Sequence, residues 1–185
     1  MKKGKKILII IIIIIIYYIL LPEGYYKFYR SLPVYPDSYN EVRLVEKYIN
    51  ERNEKDIEFF RITNNHMGLV FKMVVNEPIN YINNLVVTPN FFILFLKNII
   101  NRIRPKQINH KLNILDAEGT ADTPAYPAGH ALSAYYVAKK LKIKYPEKAR
   151  ILDKIARECD ITRIKAGLHY PSDGQFSKFI VDNFL

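Results

Sequence analysis

From Ile7 to Leu21 the chain carries only apolar or aromatic side chains, among them the eight consecutive isoleucines Ile9 to Ile16. Lys2, Lys3, Lys5 and Lys6 precede this run, and the charged-then-apolar layout is that of a secretory signal or a signal anchor. A helix needs about 20 residues to cross about 30 Å of hydrocarbon. Lysine stems that snorkel at one end, with Tyr17 and Tyr18 near the other, extend the span of a slightly short segment. Leu20-Leu21-Pro22-Glu23-Gly24 has no small-residue pair for a signal peptidase. Residues 1–21 are therefore expected to form an uncleaved single-pass anchor, with a cleaved signal and a secreted domain as the alternative. With the lysines cytoplasmic, the rest of the chain lies on the far side of the membrane.

After Leu21 the pattern changes. Pro22, Gly24, Pro33 and Pro36 punctuate an irregular linker over 22–37. Asp37 or Ser38 is placed to cap a helix running to about Asn53, with Val42, Leu44, Val45, Tyr48 and Ile49 on one face. A second helix is predicted from about Glu54, with Ile57, Phe59, Phe60 and Ile62 apolar. His66 to Val75 forms a third apolar segment, and Pro78 precedes another short one. Pro89-Asn90 opens the strongly apolar stretch Phe91 to Ile103, which Lys97 and Asn98 make too short for a membrane span; no unbroken apolar run after Leu21 reaches the 18 or so residues a span needs. Asn109 to Pro127 is dense in Asp, Gly, Thr and Pro and reads as a loop. His130 to about Ile143 has Ala131, Ala134 and Ala138 at helical spacing, a face that permits close helix approach. Glu147 to about Cys159 and Pro171 to Phe184 complete the helical patterns. Period-2 alternation is nearly absent, so residues 38–185 are expected to form a single all-α domain.

Composition changes this picture little. Hydrophobic residues at 49% and charged residues at 25% are ordinary for a globular domain. Four of the ten surplus positive charges are the lysines before the apolar run. The remainder is scattered without a basic stripe or a recognisable binding motif, so no nucleic-acid partner is expected. Cys159 is the sole cysteine and rules out an intrachain disulfide.

Three segments carry candidate chemistry. Lys97 and Arg104 lie seven residues apart on a predicted helix, two turns along the same face, and Pro105 ends that helix directly after. Two cations on an apolar helix are costly to bury unless they share an anion; otherwise they are snorkelling surface residues. Next, Tyr126-Pro127-Ala128-Gly129-His130 leads into the alanine-rich helix. Gly129 allows close backbone approach, and free amides at a helix start favour an oxyanion. Last, Thr162-Arg163 is followed by His169 and Asp173. Four residues on, Asp173 can accept a hydrogen bond from one ring nitrogen of His169 and leave the other unprotonated, as a nucleophilic or basic histidine requires. Arg163 adds a bidentate grip for phosphate.

Together the three segments resemble the phosphatidic acid phosphatase type 2 / vanadate-dependent haloperoxidase superfamily. Its signature is Lys, six residues, Arg-Pro; then Pro-Ser-Gly-His; then Ser-Arg, five residues, His, three residues, Asp. This chain has Lys97…Arg104-Pro105, Pro127-Ala128-Gly129-His130 and Thr162-Arg163…His169…Asp173, in the same order and at the same spacings, over about residues 90–180. The resemblance implies a helical bundle and hydrolysis of phosphomonoesters without a metal. His169 would form a phosphohistidine, Asp173 would orient it, and His130 would protonate the leaving oxygen. Lys97, Arg104, Arg163 and the Gly129 amide would bind the phosphate oxygens. The substrate would be a phosphorylated small molecule or a lipid phosphate. Vanadate would act as an inhibitor, or as the cofactor if the protein is a haloperoxidase. Two positions depart from the signature. Thr162 keeps the hydroxyl of a serine, whereas Ala128 loses one. That loss costs on the order of 10- to 1000-fold in rate where nothing substitutes for the donor, and it leaves a non-catalytic phosphate-binding membrane protein as a further alternative. His66 and His110 lie outside the motifs and read as capping or surface residues.

Overall fold

The computed structural model describes residues 35–115, 117 and 121–185, so the predicted anchor and the linker up to residue 34 lie outside the described residues. The described residues hold helices and no strands. In chain order the helices are α1 (Ser38–Asn50), α2 (Glu54–Lys72), α3 (Ile79–Val87), α4 (Asn90–Ile100), α5 (Pro105–Ile108), α6 (Gly129–Lys144), α7 (Ala149–Lys165) and α8 (Pro171–Phe184), with a 3-10 turn over Pro146–Lys148 before α7.

Local chemistry accounts for several boundaries. The Asp37 carboxylate caps α1 by accepting from the Tyr39 N–H at 3.1 Å. Asn53 opens α2 with a capping box: its side chain accepts from the amides of Lys55 and Asp56, and Asp56 accepts from the Asn53 amide. The predicted second helix and third apolar segment are one helix, kinked at His66, whose φ of −137° and ψ of 47° are not helical. On α1, Val42, Val45 and Ile49 are buried while Leu44 is 49% exposed, so the apolar face is narrower than predicted.

α6 is the central element. It packs most extensively on α7 and also on α8 and α3. Ala131, Ala134 and Ala138 are all buried at these crossings, and small side chains let the helix axes approach closely. The principal core joins Met67, Phe71 and Ile82 of α2 and α3 to Val137, Leu141, Leu152 and Cys159 of α6 and α7. A second cluster seats α4 and α8 on the other side of α6 through Ile93, Leu132, Ile180 and Val181.

The stretch Ile79–Ile108 is long and apolar enough to cross a membrane by length and composition, with a mean hydropathy of 1.3 and only 17% of its window buried. Run length in the sequence points away from such a span. Asn80, Asn83, Asn84 and Asn90 break the apolar run without adding charge, so the average stays high. The stretch is divided between α3, α4 and α5.

Candidate active site

Lys97 and Arg104 do not share a helix face, contrary to the sequence expectation. Asn101 takes the left-handed conformation, φ 50°, and ends α4 three residues after Lys97. Arg104 precedes a proline, which disfavours helical backbone, and it is extended at φ −85° and ψ 157° before Pro105 opens α5. Both side chains nonetheless turn inward, Lys97 to 4% exposure and Arg104 to 5%. Lys97 Nζ donates to the carbonyl of Pro124. Arg104 Nε donates to the carbonyl of Thr123 at 2.7 Å, and its Nη1 to the carbonyl of Leu168 at 2.8 Å. The loop ahead of α6 is thus strapped to the end of α4, and the Ala125 amide completes the strap on the Arg102 carbonyl at 2.8 Å.

Gly129 is the first residue of α6. A Cβ there would sit 3.2 Å from Ile93 Cγ2 and 3.7 Å from Lys97 Cε, so glycine lets the Lys97 side chain lie against the helix start. Ala128 is the N-cap and supplies no side-chain hydrogen bond. The next residue, His130, places Nε2 3.3 Å from the carbonyl of Asn64, to which it donates.

His169 and Asp173 meet as the spacing predicts. Pro171 opens α8, and Asp173 Oδ2 accepts both the Tyr170 amide at 2.8 Å and His169 Nδ1 at 3.1 Å. Arg104 Nη1 lies 3.2 Å from His169 Nε2. A guanidinium only donates, so Nε2 holds the lone pair and Nδ1 the proton. That is the tautomer a nitrogen nucleophile requires.

Arg163, in the last turn of α7, is 1% exposed. Its Nη1 donates to Asn64 Oδ1 at 2.8 Å, and its guanidinium carbon lies 4.6 Å from the centroid of the Phe60 ring. Its Nε and Nη2 are buried without a hydrogen-bond partner. Neither Lys97 nor Arg163 forms an ion pair with a described residue. Beside this group opens a cavity of about 360 Å³, whose lining includes Asn64, Thr123, Gly129, His130, Ile93 and Leu94.

Electrostatics follow from this packing. Burial, reinforced by Arg104, Lys97, Arg163 and His130, holds His169 well below the usual imidazole range. Burial and then Arg163 push His130 down to about 3, with the Asn64 carbonyl opposing. Arg163 itself falls to about 9 through burial, opposed by Cys159 and reinforced by Arg104. Burial raises Asp173 to about 7 even though Arg102 pulls the other way. Lys97, Arg104 and Arg163 thus all act on His169, and both imidazoles are held in the neutral form.

Of the seven predicted site residues, Gly129 and His130 line this cavity; Lys97 lies against Gly129, Asn64 links Arg163 to His130, and Arg104 and Asp173 both contact His169 behind it. Sequence reading missed two others. Asn64 holds Arg163 with its side chain and His130 with its carbonyl, and nothing in the pattern of α2 marks it. Arg102 is fully buried on the far side of Asp173; a third cation between Lys97 and Arg104 in an apolar stretch was the available signal. Thr162 turns its hydroxyl back onto the carbonyl of Glu158 at 2.8 Å and away from the pocket. His66 and His110 are exposed. No family model and no curated protein matches the chain.

Proposed function

We propose that this chain is a phosphatase of the phosphatidic acid phosphatase type 2 / vanadate-dependent haloperoxidase type, hydrolysing phosphomonoesters through a phosphohistidine. The observation that carries the reading is Arg163, whose Nε and Nη2 are buried and unpartnered, and which acts together with Arg104 and Lys97 on a histidine held in its nucleophilic tautomer. Buried polar groups are nearly always satisfied, so an orphaned guanidinium edge among other cations calls for an oxyanion.

In this mechanism Lys97, Arg104, Arg163 and the Gly129 amide hold the three non-bridging phosphate oxygens. Charge builds on those oxygens in the transition state, and donors fixed in advance stabilise it without reorganising. Arg104 shifts its Nη1 hydrogen bond from His169 Nε2 to a phosphate oxygen and releases the lone pair. Nε2 then forms a bond to phosphorus as the bond to the ester oxygen breaks. His130 gives that oxygen a proton, and the alcohol departs. The neutral His130 next takes a proton from water, hydroxide displaces Nε2 from phosphorus, and inorganic phosphate leaves. Burial first and Arg163 second keep His130 neutral; a phosphate dianion offsets the second cause and so raises the proton affinity of the general acid.

A lipid phosphate is favoured over a freely soluble substrate by one feature. The cavity wall formed by Val86, Asn90, Ile93 and Leu94 belongs to the apolar stretch Ile79–Ile108. In this reading residues 1–21 anchor the domain beside the bilayer, with the N-terminus cytoplasmic and the site on the opposite side.

The full chain in detergent micelles, supplied with a chromogenic phosphomonoester, tests the proposal. Turnover inhibited by vanadate and abolished in His169→Ala is expected. A folded wild-type protein inactive from pH 4 to 9 would overturn it. A short-chain phosphatidic acid is expected to be hydrolysed faster than the soluble ester.

A further inference from the structure

Arg102 and Arg163 are the largest fully buried side chains among the described residues, and every N–H donor of Arg102 is engaged. Nε donates to Ser38 Oγ at 3.0 Å. Nη1 donates to Ser172 Oγ and to Asp173 Oδ1, each at 2.6 Å. Nη2 donates to Glu41 Oε2 at 2.6 Å and to the Pro36 carbonyl at 3.3 Å. The rings of Tyr170 and Tyr35 lie 3.9 and 4.3 Å from its guanidinium carbon, and Tyr126 lies at 5.8 Å. Glu41 in turn accepts the Ser172 hydroxyl at 2.5 Å on Oε2 and the Ser172 amide at 3.1 Å on Oε1.

We propose that Arg102 is a positioning residue for the reaction: by occupying Asp173 Oδ1 it commits Oδ2 to His169, and through Glu41, Ser38 and Tyr35 it ties that carboxylate to the segment by which the chain enters the domain. The inference rests on the phosphatase reading for its catalytic consequence, though not for its structural one.

The division of labour at Asp173 supports the assignment. One oxygen accepts from the Arg102 guanidinium, while the other accepts the Tyr170 amide and the His169 ring. A carboxylate free to rotate would exchange these roles, and the imidazole would lose its fixed tautomer. The charge argument points the same way. Asp173 faces Arg102 and Lys97 as cations, with His169 beside it, Tyr126 nearby and the Glu41 carboxylate across Arg102. Removing Arg102 leaves two carboxylates in one buried space with a single remaining cation close to Asp173, so a proton is taken up and Asp173 ceases to be a pure acceptor. Lysine is a poor replacement, because an ammonium has three donors and no plane to stack between two rings. The arrangement also gives α1 and the residues just before it a part in the active site. Tyr35 and Pro36, the described end of the predicted linker, touch the same guanidinium as the catalytic aspartate.

The test compares Arg102→Gln, Arg102→Lys and Glu41→Gln in the full chain, with helical circular dichroism as the folding check. In Arg102→Gln, kcat is expected to fall on the order of 100-fold, while KM and inorganic phosphate affinity change less than about threefold, because Lys97, Arg104 and Arg163 are untouched. The acid limb of the rate profile should move to higher pH, since Asp173 must be ionised and has lost its cation. Arg102→Lys should recover part of kcat, and Glu41→Gln should show a smaller loss of the same kind. A folded Arg102→Gln with wild-type kcat and an unmoved acid limb overturns the proposal, as does a loss confined to KM. If Arg102→Gln does not fold, the same criteria applied to Arg102→Lys and Glu41→Gln decide. Nitrogen-15 NMR of the His169 ring separates the two readings. Loss of the Nδ1–H tautomer in the variants supports the positioning role even if the wild type proves inactive, and an unchanged tautomer refutes it.

Discussion

The two histidines of this site sit where imidazole would not ordinarily be useful as an acid. His130 is pushed down to about 3 and His169 well below its usual range, in both cases by burial first and by neighbouring cations second. An anion that neutralises Lys97, Arg104 and Arg163 reverses the second cause. Both imidazoles then bind protons more readily in the complex than in the empty pocket. By linkage, a ligand whose binding takes up protons binds more tightly as pH falls. Sulfate suits the test because its own charge is constant over the relevant range. Its affinity, measured by titration calorimetry, is expected to rise from pH 8 to pH 5, and buffers of different ionisation enthalpy should register proton uptake. Affinity that is flat with pH would contradict this account of the pocket.

The start of α6, like those of α3, α4 and α7, has no side-chain cap. Ala128 holds the N-cap position with φ −72° and ψ 103° and offers no side-chain acceptor to the first-turn amides. Replacing alanine by serine at such a position typically stabilises by about 0.5–2 kcal/mol. Ala128→Ser is therefore expected to raise the melting temperature by a few degrees. If the phosphatase reading holds, it should also raise kcat, because the hydroxyl stands at the edge of the oxyanion site. The thermal melt and the turnover number check the two effects separately. A change in stability without a change in rate would mean that the hydroxyl serves the helix and not the phosphate. The short element α5 makes a different point. Its proline was legible as a helix stop for α4, yet α4 ends earlier, at the left-handed Asn101, and the proline begins a new turn. The two cations that seemed to be helix neighbours converge from separate elements because the backbone leaves the helix at Asn101 and is extended at Arg104.

At the scale of the whole molecule, two apolar features bear on location. One is the run Ile7 to Leu21 behind its lysines, and the other is the stretch Ile79–Ile108, which passes the length and composition test for a span. The second stretch also lends α4 to the core through Ile93 and to the site through Lys97. The full chain is expected to remain in the membrane pellet after alkaline carbonate extraction and to enter solution only with detergent. A variant lacking residues 1–21 then distinguishes the two features. Its release by carbonate assigns anchoring to the N-terminal run, and its retention assigns it to the α3–α4 region.

Much of the site could be read without coordinates because its spacings are local rules. A carboxylate four residues after a histidine, with a proline-started helix between them, specifies the Asp173–His169 contact almost by itself. Gly129 before His130 marks a helix start open to close approach. Helical periodicity likewise determined that the domain is all-α. Tertiary structure alone decided what has no local signature. Asn64 is selected by a kink in α2 and the crossing of α7. Arg102 is selected by three tyrosine rings and two carboxylates drawn from distant parts of the chain. The value of a buried charge depends on which groups share its low-dielectric space. That company is set by how helices pack, and the order of residues along any one of them does not contain it.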